Sequence, residues 1–142
     1  MTCKNILVAY DDSDLSTKAL EMAIEIARSN PDMHIDVAFV VPIPLLPETD
    51  AESVAEIINM MVEDGKKLLY QAQDLLGDLT DRSETLLVKG TDPASELLKL
   101  IDAGDYYLVI MGSRGLSGIK EYLGSVSHKV LRSADIPVLI AK

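Results

Sequence analysis

The sequence is poor in the residues that staple, stack or span. Its 142 residues hold one cysteine, Cys3, one phenylalanine and no tryptophan. A lone cysteine excludes an internal disulfide and fits a reducing compartment. There is no run of about 18 apolar residues, the length that a membrane-crossing helix requires. The opening Met1-Thr2-Cys3-Lys4-Asn5 leads into an apolar segment too short for a signal-peptide core and without a small-residue cleavage site. A cytoplasmic protein with no membrane partner is therefore expected. The length and the 48% hydrophobic content suit one domain, 1–142, with one substantial core.

Basic charge is also scarce: 13 Lys and Arg stand against 23 Asp and Glu, a net charge of −10. Nucleic acids and anionic membranes attract proteins through a basic face, so neither is an expected partner. The exception is the segment 112–132, where Arg114, Lys120, Lys129 and Arg132 face Glu121 alone, leaving about −13 on the rest of the chain. Such a segment either draws an anionic ligand or is simply a solvated basic helix face. The two histidines, His34 and His128, show no triad or metal-ligand spacing, and no catalytic residue is assigned.

What is present is a cadence of strands and helices. Ile6 to Tyr10 is a continuous apolar run, the mark of a strand covered on both faces, and it ends at Asp11-Asp12-Ser13-Asp14. That cluster reads as the start of a helix with Ala19, Leu20, Ala23, Ile24 and Ala27 on one face, stopped by Asn30-Pro31-Asp32. A strand over 35–41, a proline-rich loop and a long helix over 51–76 follow, with Gly65 as a candidate bend. A short, polar-ended strand over 84–89 reads as an edge. Asp92 and Pro93 then open a helix that Gly104 closes. The second apolar strand, 107–111, precedes a glycine-rich stretch, a helix over 125–133 and a last strand over 137–141. Strands separated by helices imply parallel crossovers. The fold class is α/β, a doubly wound, Rossmann-like, five-stranded parallel sheet with the two most apolar strands adjacent and the order 3-2-1-4-5.

In that order the chain leaves strand 1 toward one side and returns to strand 4 on the other, opening a crevice at their carboxyl ends. Asp11 and Gly112 both fall there. The stretch from Gly112 is neither a Walker A loop nor a dinucleotide fingerprint. Its physics is related, because Gly112 and Gly115 allow close backbone approach and Gly124-Ser125 opens a helix whose first N–H groups suit a phosphate. The Ser125 and Ser127 hydroxyls add hydrogen bonds or reach a phosphate-bound metal. Glycines after a strand also serve as a plain turn and cap. With Asp12, Ser13 and Asp14 available to cap the first helix, Asp11 is left to accept from a ribose hydroxyl or a base amine.

These residues resemble the universal stress protein family. The resemblance runs through Ile6-Leu7-Val8-Ala9-Tyr10-Asp11 with Ser13, Gly90-Thr91-Asp92-Pro93-Ala94, Val109 to Gly115, Leu123 to Ser127 and Pro137 to Ile140. Its ATP-binding branch carries Gly, two residues, Gly, nine residues, then Gly-Ser or Gly-Thr. The resemblance implies a bound adenine nucleotide, ATP or AMP/ADP with or without Mg²⁺, for which Asp12 or Asp14 offers a carboxylate. It implies that Ala9, Tyr10, Asp11 and Val41 surround adenine and ribose, while Met111, Gly112, Arg114, Gly115, Gly124, Ser125, Val126 and Ser127 hold ribose and phosphates. Two departures stand out: the second spacer, 116–123, has eight residues, and Asp12 replaces a glycine common in relatives. The implied role is a non-enzymatic regulator in stress adaptation that pairs through strand 137–141 as a homodimer. The alternatives are a slow ATPase or phosphotransferase, and a nucleotide-free dimeric interaction protein.

Overall fold

Five strands form one parallel sheet in the order β3-β2-β1-β4-β5. A computed structural model describes residues 4–44, 51–114 and 123–142. The strands are β1 (Asn5–Ala9), β2 (His34–Pro42), β3 (Ser83–Gly90), β4 (Tyr106–Gly112) and β5 (Val138–Ala141). The helices are α1 (Asp14–Arg28), α2 (Ala51–Leu76), α3 (Pro93–Ala103) and α4 (Ser125–Ser133), with a 3-10 turn at Gly77–Arg82 before β3. The order, the parallel pairing and the central β1–β4 contact agree with the sequence-based expectation.

The two-residue period of the strands splits the core in two. Ile6 and Val8 of β1, Ile35 and Val37 of β2 and Ile110 of β4 pack on one side against Leu20 and Ala23 of α1 and Leu69 and Ala72 of α2. Leu7, Ala38, Val109 and Met111 face the other way, against Ala94 and Leu97 of α3 and Val130 of α4. Burial on both faces is why β1 and β4 are apolar without alternation.

Local chemistry sets the ends of the elements. Ser13 is the N-cap of α1, its hydroxyl accepting from Ser16 N–H at 3.2 Å. At the other end, Arg82 donates to the carbonyls of Ala27, Asn30, Pro31 and Met33, gathering a negative helix terminus around one guanidinium. α2 runs unbroken through Gly65. A Cβ there would lie 2.8 Å from both Leu87 and Phe39, so the glycine lets the helix press against β2 and β3.

Candidate functional site

The carboxyl ends of β1 and β4 diverge into a crevice of about 570 Å³. Ala9, Tyr10 and Asp11 enter it from β1 and the turn after it, and Met111, Gly112 and Arg114 from β4 and its continuation. Gly124, Ser125, Val126 and Ser127 close one side with the start of α4. Thus most residues that the sequence nominated come together across more than a hundred positions. Val41 does not border the crevice: it is buried, and its neighbours Val40 and Pro42 line the wall instead. Gly115 and nearly all of the shortened spacer lie outside the described residues.

Sequence reasoning missed the rest of the wall. Ala38, Phe39 and Val40 of β2, Leu68 of α2, and Pro93 and Leu97 of α3 give the crevice its apolar lining, and Ser16 joins it from α1. The signal was available in β2, whose side chains beyond the β1 pairing must reach over the open end of the sheet.

The polar groups have partners that reshape their expected roles. Asp11 is not left over: its Oδ1 accepts from Ser13 N–H at 3.0 Å and from Ser13 Oγ–H at 2.5 Å, shaping the turn into α1. The cap itself is Ser13, rather than Asp12 or Asp14. Tyr10 N–H donates to Ala38 O at 2.9 Å and Asp11 N–H to Ser16 Oγ at 3.2 Å, so neither amide is left as a donor for a base. Burial raises the Tyr10 phenol above its usual pKa, and its hydroxyl donates to Asp12 Oδ1 at 3.4 Å. Asp12 itself has φ +65°, the left-handed conformation that glycine adopts without strain and that Asp tolerates better than most residues. The glycine that the family resemblance leads one to expect at this position thus has a backbone reason.

On the facing side, the Ser127 hydroxyl is buried and donates to Gly112 O at 2.7 Å, tying α4 to the end of β4. Gly112 serves packing as well as any ligand, since a Cβ there would come within 2.8 Å of Leu15 Cβ. At Gly124 a Cβ would stand 3.1 Å from Arg114 Cα, while its N–H donates to Ser113 O at 2.6 Å. The first intrahelical bond of α4 runs from His128 N–H to Gly124 O. The N–H groups of Ser125, Val126 and Ser127 therefore precede the helical ladder, at the end where the helix dipole is positive. This is an anion-binding arrangement on the rim of an apolar crevice.

Beside the rim, α3 and α4 are clamped together. Asp92, the N-cap of α3, accepts at Oδ2 from Lys129 Nζ at 2.5 Å and from Ser95 Oγ at 2.6 Å. These bonds hold its carboxyl at about 2, well below the ordinary 3.8. Lys129 therefore already has a carboxylate partner, and Arg114 borders the crevice.

Comparison with known proteins places this geometry among relatives. The description "Universal stress protein family" matches residues 2–142. Universal stress protein YxiE of Bacillus subtilis is 36% identical over 148 aligned positions, covering 96% of this chain and 97% of that protein. The solved structure of universal stress protein UspA from Lactobacillus plantarum superposes with a TM-score of 0.88 at 19% identity, covering 100% of this chain and 99% of that one. A universal stress protein solved in complex with cAMP superposes at 0.68 with 25% identity, covering 99% and 98%.

Proposed function

This chain belongs to the universal stress protein family, and from that premise we propose that its crevice binds an adenine nucleotide, ATP foremost, as the input of a non-enzymatic stress-response regulator. The observation that carries the reading is the joining of an apolar slot, able to take a flat base, to the open N-terminus of α4, able to take phosphate. Asp11 lines the same crevice and is the residue proposed to meet the ribose. The cAMP complex of a relative supports an adenine nucleotide as the class of ligand. Mg²⁺ would arrive with the phosphates, Asp12 being the nearest carboxylate in sequence to the Asp11 rim.

The chain is proposed to act in the cytoplasm as a single domain and a homodimer. β5 is an outer strand of the sheet, so one row of its N–H and C=O groups has no neighbouring strand among the described residues. Val138, Leu139 and Ile140 are only half-buried there. Two copies would satisfy each other by antiparallel pairing across a two-fold axis.

Calorimetry with ATP, AMP and GTP tests the ligand, together with mass analysis of whatever nucleotide the purified protein carries. Saturable ATP binding without GTP binding supports the reading; binding of neither favours a nucleotide-free interaction protein. Steady phosphate release during the titration would favour an ATPase. Light scattering of the parent and of Leu139→Pro tests the dimer, and a monomeric mass of the parent at tens of micromolar would exclude it.

A further inference from the structure

At the opposite, amino-terminal edge of the sheet lies a second group of side chains that no nucleotide in the crevice would touch. Asp36 of β2 and Glu84 of β3 are direct register partners. His34 precedes Asp36 by two residues, so the three side chains share one face. Like charges directly opposed on adjacent strands repel, a cost that a cation between them removes.

The geometry goes beyond a surplus of acid. One ligand atom from each of His34, Asp36 and Glu84 lies within 4.8 Å of the other two. His34 Nε2 is 3.1 Å from Asp36 Oδ1, an ion pair when the imidazole is protonated, and Oδ1 is buried with no hydrogen-bond partner among the described residues. With the imidazole neutral and its proton on Nδ1, two lone-pair atoms face each other at nearly the ligand-to-ligand edge of a tetrahedral site with bonds of about 2.0–2.2 Å. The other Asp36 oxygen, Oδ2, accepts from Tyr106 Oη at 2.5 Å, fixing the carboxylate as outer hydrogen bonds fix metal ligands. Glu84 is exposed, so its carboxylate can swing to close the set.

We propose that His34, Asp36 and Glu84 form a site for one divalent first-row transition-metal ion, Zn²⁺ by preference, with water completing its coordination. An imidazole with two carboxylates suits such an ion better than Ca²⁺ or Mg²⁺, which favour oxygen alone. The ion would fasten β3, the outer strand, to β2. Neither histidine stood at ligand spacing in the sequence, because Glu84 reaches the other two only through strand register.

The test uses the full chain freed of nucleotide and titrated with ZnCl₂ in a calorimeter, with X-ray absorption at the zinc edge. The expected result is one saturable equivalent with mixed nitrogen and oxygen ligation and no sulfur. Glu84→Gln, a change at an exposed position that leaves the fold alone, should weaken binding by about tenfold or more, as should His34→Gln, and Tyr106→Phe by roughly tenfold. The proposal is overturned if Zn²⁺ does not saturate, if Glu84→Gln binds as the parent does, or if Cys3→Ser abolishes binding. Should His34→Gln fail to fold, Glu84→Gln decides alone.

Discussion

The Ser127 hydroxyl donates a 2.7 Å hydrogen bond to the carbonyl of Gly112, so the helix that rims the crevice is fastened to the strand that floors it. Ser127→Ala leaves that carbonyl without its partner and should lower stability by about 1 kcal/mol in urea denaturation. Ser125→Ala, at an exposed position of the same helical turn, should leave stability unchanged. Equal losses in the two variants would remove the special place of Ser127.

Gly124 meets the loop's own backbone, with the Cβ position 3.1 Å from Arg114 Cα. Its φ of −62° is open to any residue, so the fold should survive substitution while the rim shifts. Gly124→Val is expected to keep the parent's circular dichroism and lose at least ~1.4 kcal/mol of ATP affinity, a tenfold change in Kd. Parent-like ATP affinity would place the phosphates elsewhere.

Asp11 has a structural duty toward Ser13 and a proposed duty toward the ligand, and two variants separate them. Asp11→Asn keeps an acceptor for Ser13 and removes the charge, so stability should hold while ATP affinity falls. Asp11→Ala removes both and should also cost about 1–2 kcal/mol of stability, the scale of a lost helix-start acceptor. Calorimetry and denaturation on the same samples read the two effects apart.

The Asp92 clamp predicts a pH response. A carboxyl held at about 2 by Lys129 and Ser95, against 3.8 ordinarily, favours the folded state fully above pH 3.8. That contribution is lost as pH falls from there through 2. Lys129→Met should move the Asp92 carboxyl titration, followed by NMR, up toward 3.8 and flatten the acid limb of the stability curve. An unchanged titration would mean that the lysine is not its partner in solution.

How much of this was legible beforehand follows from the range of the interactions involved. The strand order rested on which runs were apolar throughout, as in Ile6 to Ala9 and Leu108 to Met111, and burial on both faces imprints that pattern directly. The crevice rested on topology, which places Asp11 and Gly112 together without any knowledge of side chains. What escaped was specific contact. Nothing in the residue string says that Asp11 is claimed by Ser13, that Gly112 makes room for Leu15, or that Gly65 makes room for Phe39 and Leu87. Val41 was nominated where Val40 and Pro42 line the wall, because in a strand a shift of one residue exchanges the faces. The partner of His34 and Asp36 lies on the next strand and is found only once the register is known.

The walls of the crevice come from both ends of the chain, Asp11 near its start and Ser125 near its finish. A molecule that grips both acts as a removable staple closing a loop of more than a hundred residues. Because such a molecule holds the folded chain and not the unfolded one, it stabilises the fold by an amount that grows with the logarithm of its concentration, and that stabilisation vanishes when the molecule is scarce. The lifetime of the folded protein would then follow the concentration of its ligand, turning a metabolite level into a quantity of protein.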